Sequence, residues 1–317
     1  MPGNSKDFKA RVILLKAETT EGVDAAPTVV ADALRVLNYT PTFMDAEQKV
    51  RKLDKAYFGA DPTALAAFKR GATWSMEIAG GGLAAGTTIP PWMKVLQACG
   101  FGAATVGASS VVQKPITPNI GSFTHWGYLD DLLLKANGMR GSVGFTFEDD
   151  EFPLLNFNML GRPATSLADQ VTPGSPTLAN YIDPVLASTE NTTITYGGYA
   201  YPVRRLTMAD NAQLQLRSLI GPQDRVIYSG RSWSGTLLIE VGDITANNPF
   251  TGIREGMIRP AQVIHGATAG NIVQVDMSRL QVSGNVEISE EQGKTMASIP
   301  ITALPNVGND EVVFTSK

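Results

Sequence analysis

Two stretches of the chain read as one strand written twice, and that repetition restricts the fold more than any other feature. Gly71-Ala72-Thr73-Trp74-Ser75 and Gly230-Arg231-Ser232-Trp233-Ser234 share the pattern G-x-[ST]-W-S, each after an aromatic residue, Phe68 or Tyr228. Further on, Gly141-Ser142-Val143-Gly144-Phe145 is echoed by Gly284-Asn285-Val286-Glu287-Ile288. The pattern predicts a tandem duplication, with residues 1–165 as a first domain, 166–178 as a linker and 179–317 as a second domain. The first copy is longer between its tryptophan and its valine, and the stretch from Pro90 to Cys99 accounts for the excess. Prolines at its start, Trp92, Val95, Leu96 and Cys99 on one face and Gly100 just beyond predict a short helix that the second copy lacks. Residues 161–176, rich in proline and small residues, carry the composition of an interdomain connection.

The rest of the pattern is β. Val12 to Leu15 predicts a first strand, and from Thr73 to Ile78 apolar residues alternate with polar ones, as in a half-buried antiparallel strand. Val143, Phe145 and Phe147 alternate likewise before an acidic turn, Glu148-Asp149-Asp150-Glu151. Leu155, Phe157 and Met159 then resume, which predicts a hairpin. The second copy offers a parallel hairpin, Val286 to Ile288 and Ile299 to Ile301 around a polar turn from Ser289 to Lys294, with Pro300 implying an edge or outward position. The fold class is therefore mainly β, two tandem β-sandwich domains with one short helix in the first. Residues 44–67 form a charged excursion too long for a tight turn, and such excursions usually serve recognition. Together with the polar arm at 1–9 it supplies the interface candidates Lys6, Phe8, Asp45, Lys49, Arg51, Tyr57 and Phe58.

Composition excludes more than it selects. Charged residues are 18% of the 317, below the roughly 25% usual for soluble domains, a pointer to surface hidden in contacts with other chains. No apolar run reaches the ~18 residues of a membrane span, so no membrane partner is expected. A net charge of −4 gives no basic footprint for nucleic acid. The charged residues Lys6, Asp7, Lys9 and Arg11 precede any long apolar stretch, which predicts no leader and assembly in the cytoplasm of the producing cell. Catalysis finds few candidates: His125 and His265 lie near no nucleophile motif, and Cys99 falls on the apolar face of the helix. One cysteine and two distant histidines cannot build a zinc site, and the Gly80-Gly81-Gly82 run lacks the Lys-Ser/Thr of a phosphate loop and reads as a mobile strand connection. Adjacent acids such as Asp130-Asp131 or Asp149-Asp150 point to opposite strand faces and pair poorly for hydrolysis. No enzyme activity, cofactor or metal is expected.

The order of these motifs resembles a known family. Glu18-Thr19-Thr20-Glu21-Gly22-Val23-Asp24-Ala25-Ala26-Pro27-Thr28, then Gly71 to Ile78, the Pro91-Trp92 helix through Gly100, and Gly138-Met139-Arg140-Gly141-Ser142-Val143 before the hairpin resemble the major tail (tail tube) proteins of long-tailed, non-contractile phages. The resemblance covers most of residues 11–160. It implies a β-sandwich that adds strands to a closed inner β-barrel, with rings stacked into a hollow tube that conducts DNA into the host. With six domains per ring in that family, a two-domain chain implies trimeric, pseudo-hexameric rings. The implied partners are further copies of the chain, a tape measure protein in the lumen, and tail terminator and baseplate or distal tail proteins. Double-stranded DNA would pass without specific binding, past lumen or hairpin-tip acids for which Glu148, Asp149, Asp150, Glu290 and Glu291 are the candidates. A contractile injection or secretion tube, and an oligomeric capsid-decorating or adhesive β-sandwich, are the competing readings.

Overall fold

The computed structural model describes residues 6–7, 9–82, 88–178, 180–220, 224–245 and 247–317; Phe8 lies outside them. The first half holds β1 (Arg11–Ala17), β2 (Leu37–Pro41), β3 (Asp45–Val50), β4 (Thr63–Glu77), the helix α1 (Pro91–Leu96), β5 (Val111–Gln113), β6 (Phe123–Leu129), β7 (Leu132–Glu148) and β8 (Leu154–Pro163). The second half holds β9 (Thr192–Tyr196), β10 (Val203–Ala209), β11 (Leu214–Arg217), β12 (Arg225–Tyr228), β13 (Ser234–Glu240) and β14 (Ile258–His265). It ends with β15 (Val273–Val282), β16 (Glu287–Glu291), β17 (Lys294–Ala303) and β18 (Val313–Ser316).

Both halves connect their six main strands in the same order, all antiparallel. In the first the order is β1–β6–β7–β8–β4–β2. In the second it is β9–β14–β15–β17–β13–β10. Register shifts recur too: one between Phe123 and His125 where β6 meets β7, and one between Arg259 and Ala261 where β14 meets β15. Another pair lies between Leu37 and Thr40 of β2 and between Val203 and Arg205 of β10. Trp74 sits within β4, and Trp233 immediately precedes β13, the strand in the same place of the order. Counting across the sheet from Phe145 leads through Leu155 to Met76; from Ile288 it leads through Ala297 to Ile239. On that count Trp74 matches Leu237, four residues beyond Trp233.

Alternation directs one row of each strand inward. Trp74 and Met76, Val143, Phe145 and Phe147, Leu155 and Phe157, Leu237 and Ile239, and Ile299 and Ile301 all belong to one buried cluster drawn from both halves. Each fully buried side chain of this size stabilises by about 1.5–3 kcal/mol. The helix forms as its sequence predicts, with Pro91 in its first turn, a single turn of 3-10 helix through Cys99 and Gly100 left-handed at φ 79°. Trp92 anchors it by donating its ring N–H to the Ala79 carbonyl at 2.8 Å.

The halves join edge to edge. The end of β7 pairs with β8 on one edge and with β10 on the other, Phe145 opposite Met208 and Glu148 opposite Arg205. One sheet therefore runs β2–β4–β8–β7–β10–β13–β17–β16, open at both ends, and does not close into a barrel within the chain. At the end of this seam Asp210 is buried, its carboxylate accepting from the Val143 and Ala212 amides, both at 3.1 Å, and from the Tyr228 hydroxyl at 3.4 Å. Burial pushes its pKa up to about 7. A raised folded pKa favours the protonated form, so the stabilisation is full below about pH 4 and lost as pH rises through 7. Asp210→Asn, which keeps the acceptor oxygen uncharged, is expected to be more stable than wild type at pH 8 by about 2–4 kcal/mol, with the gap shrinking towards pH 4. Urea unfolding at the two pH values checks it; a gap that does not change with pH would sink the assignment.

Several local expectations change. Residues 44–67 are regular at both ends: β3 pairs with the first part of β4 around an irregular tip at 51–62, where Lys55 binds Asp61 at 2.6 Å. Both strands are mostly exposed, so the ladder stands as an arm held by backbone pairing and surface ion pairs rather than by a core of its own. Ser289, Glu290 and Glu291 belong to a strand, because Gln292 and Gly293, at φ 52° and 78°, make the turn in two residues. Pro300 lies in interior strand β17 opposite Thr236, not on an edge. On its other side the ladder is interrupted between Val282 and Glu287, so the missing N–H falls at an irregularity, and only its carbonyl is used, by the Ser283 amide at 2.9 Å. Gly80 and Gly82 are held against the second half, by Asn271 Oδ1 at 2.8 Å and by the Gly270 carbonyl at 2.9 Å, which replaces the mobile connection expected there.

Candidate functional site

The face of the open sheet opposite the core is an extended, regular surface. Alternation places Thr73, Ser75 and Glu77 of β4, Thr146 of β7, Asn156 of β8 and Thr207 of β10 on it. These short polar side chains satisfy one another where they can: the Ser75 hydroxyl donates to Asn156 Oδ1 at 2.7 Å. Leu37, Leu154 and Leu238 share this face, but among the described residues polar side chains make up most of it, and no run of cations lines it.

Towards the hairpin ends of the same face carboxylates gather. Glu77, Glu148, Glu240, Glu287 and Glu291 stand there by strand alternation, with Asp149 and Asp150 at the first tip. The cations beside them are Arg204, Arg205 and Lys294, with Arg35 paired to Glu77 at 3.4 Å. Arg204 ties the two tips together, Nε to Glu291 at 3.1 Å and a terminal nitrogen to Asp149 at 3.2 Å, while Arg205 reaches Glu148 at 3.9 Å. These partly exposed pairs are each worth about 0–1 kcal/mol. Their effect is to hold the two hairpins at a fixed spacing across a cleft of about 660 Å³.

Of the acids singled out in the sequence, the structure therefore brings Glu148, Asp149, Asp150 and Glu291 to one cleft. Glu290 alternates to the other side and accepts the Gly293 amide of its own turn. Arg204 and Arg205 carried no local sequence signal, because what makes them matter is the register of β10 on β7. The interface candidates separate into two groups. Lys6 pairs with Asp131 near the start of β7, whose carboxyl it holds below the usual range. Asp45, Lys49, Arg51, Tyr57 and Phe58 belong to the β3–β4 arm, where Asp45 binds Lys69 at 3.1 Å and Lys49 binds Glu47 at 2.8 Å. Tyr57 is 74% and Phe58 fully exposed at its tip, two aromatic rings with no core to pack on.

The residues capable of chemistry are packed away from this face. His125 stacks on Trp74 with ring centroids 5.7 Å apart, and burial lowers its pKa to about 3. His265 contacts Thr192 at 2.8 Å and is lowered to about 4, again by burial. Cys99 is buried, its thiol pushed well above the ordinary value by desolvation. Among the described residues no group of His, Cys, Asp and Glu is arranged to hold a metal ion, and no helix is long and apolar enough to cross a membrane. No curated protein matches the chain. Residues 9–303 match the model of a protein family described as phage tail tube protein.

Proposed function

The chain belongs to the phage tail tube protein family, and from that premise we propose that it polymerises three chains to a ring, the rings stacking into the conduit through which DNA leaves the capsid of a long-tailed, non-contractile phage. The family carries a structural role in the virion and self-assembly into a tube. The observation that carries the rest is the repeated strand order, β1–β6–β7–β8–β4–β2 and β9–β14–β15–β17–β13–β10. It supports a duplicated subunit in which each half takes the place of one domain in a pseudo-sixfold ring, with the residues around 166–178 as the connection. Covalent linkage gives the second half a high effective concentration beside the first, so only three associations per ring depend on protein concentration.

The polar sheet face becomes the wall of the lumen. Its excess of carboxylate repels phosphate and gives passing double-stranded DNA no counterion-release binding. The tape measure protein occupies that lumen before ejection, and terminator and baseplate proteins cap the ends. The β3–β4 arm reaches the neighbouring ring with Tyr57 and Phe58, which are exposed in the single chain. Replacing both with serine is expected to leave the melting temperature of the unassembled protein within about 1 °C of wild type, since exposed positions contribute little to stability. Tube length in negative stain should fall sharply, and tubes of normal length would remove the arm from the stacking contact. Electron microscopy of the purified protein at rising concentration tests the assembly itself. Tubes with three chains per ring are expected; six chains per ring would refute the duplicated subunit, and closed particles without tubes would refute the function.

A further inference from the structure

The long sheet ends on one side at β16 and on the other at β2, and the chain contains its own template for joining such ends. At the seam inside the chain, the strand that follows β8 across the hairpin, β7, receives β10: Gly144 faces Ala209, Phe145 faces Met208 and Thr146 faces Thr207. By the count across the sheets that equates Phe145 with Ile288, β16 occupies the place of this part of β7. β2 occupies the place of β10, because Thr73, which faces Thr40, matches Thr236, which faces Thr207. Among the described residues nothing in the second half occupies the position that β10 fills in the first: β16 is paired on one side, with β17.

We propose that β16 pairs antiparallel with β2 of a second copy of this chain, in the register of the internal seam, so that Ser289 faces the second copy's Thr40, Ile288 its Pro41 and Glu287 its Thr42. The proposal rests on the self-assembly just argued and adds the strands and the register. Hydrogen-bond parity agrees on both sides. The two-residue turn makes Glu291 and Lys294 a bonded pair, so alternation gives Ser289 and Glu287 to β17 and turns the backbone of Ile288 and Glu290 outward. On β2 the Thr42 amide bonds the Gly71 carbonyl at 2.8 Å, so Thr40 also faces β4 while Tyr39 and Pro41 face out. Apart from half-buried Pro41, the residues brought together are exposed in the single chain, Ile288 at 61%. Two features make this seam weaker than the internal one: Pro41 has no amide to give where Met208 has one, and the Tyr39 carbonyl already accepts from Arg11 at 2.5 Å. An edge with one donor missing discourages pairing in other registers and is held only when the ring closes.

Cysteines at Thr40 and Ser289 test it. These positions form a non-hydrogen-bonded pair in the proposed register, with Cα atoms about 4.5 Å apart and within disulfide reach; Cys99 is buried and does not compete. Single variants T40C and S289C, purified apart, should form disulfide dimers on mild oxidation only when mixed. The double variant should give a covalent ladder ending at the closed trimer. Ile288→Pro removes an outward amide without touching the ladder to β17, so it should stay folded by circular dichroism and fail to make tubes. If T40C couples as well to E291C, two residues away, the register is overturned. If tubes form and no T40C–S289C disulfide appears in them, this pairing is overturned while the tube function stands. A wild-type protein that makes no tube at all overturns the function, and the pairing with it.

Discussion

Arg70→Ala is expected to be the most damaging single substitution outside the aromatic core, costing about 3–5 kcal/mol. The side chain is 1% exposed, and its guanidinium donates to three backbone carbonyls, those of Phe43 and Lys135 at 2.8 Å and Leu167 at 2.6 Å. It thereby ties the root of the β3–β4 arm and the segment after β8 to the beginning of β7. Truncation removes three charge-assisted bonds and leaves three carbonyls without their donors, each loss costing on the order of 1–3 kcal/mol before relaxation and the regained solvation of the lost charge are counted. Lysine has no planar fork and cannot reach all three, so Arg70→Lys should recover only part of the loss. Urea unfolding of the unassembled protein measures both. A cost under about 1 kcal/mol would show that water replaces the guanidinium freely.

Gly80→Ala is expected to cost about 3 kcal/mol or more, by a different route. A Cβ at Gly80 would lie 2.1 Å from the Gly270 carbonyl oxygen and 2.6 Å from the Asn271 Cα, both backbone atoms that cannot swing aside. The contact is reciprocal, since a Cβ at Gly270 would lie 2.4 Å from the Gly82 carbonyl oxygen, and Gly270 is left-handed at φ 86°. The halves therefore touch backbone to backbone at this point. Gly293→Ala is the control: φ is 78° but nothing lies within 4 Å, so only the left-handed cost of about 1–2 kcal/mol applies. Equal melting temperatures for the two variants would argue that the crossing opens without penalty.

The same glycines show what a sequence can and cannot disclose. Gly80 to Gly82 read as a mobile connection because the pattern around them holds no sign of Gly270, 190 positions away; close approach is a property of two segments, and one segment cannot announce it. The helix was legible to its last residue because its signals are local: Pro91 in the first turn, apolar residues at helical spacing and Gly100 in the left-handed conformation. The echo of Gly141 to Phe145 in Gly284 to Ile288 falls in register with the hairpins, while the echo around Trp74 and Trp233 marks corresponding strands but positions four residues apart. A strand buried on one face needs a large ring somewhere along it, and only the parity of that position is fixed. Asp149 and Asp150 were readable as a tip, whereas Glu148, Glu290 and Glu291 lie in strands. The gathering of Glu148, Asp149, Asp150 and Glu291 into one cleft under Arg204 was not readable, because it depends on β7 pairing with β10 across some sixty intervening residues. Of the two positions Pro300 implied, it takes the outward one, between buried Ile299 and Ile301, in an interior strand where an interruption in the neighbouring strand tolerates it as well as an edge does.

The strand at 313–316 has a consequence for how the protein comes to exist. Phe314 packs against Trp92 and Phe101, both at 5.6 Å between ring centroids, and against Phe145 at 5.9 Å, while its backbone pairs with Gln113. The core of the first half is thus finished by residues translated roughly 200 positions later, about 10–40 s of synthesis at ordinary ribosomal rates. A nascent first half waits through that interval with an aromatic cavity open, in a topology whose long-range contacts already make folding slow. A chain interrupted before this strand is made lacks the plug for its helix, so an unfinished subunit is marked by an unfilled core.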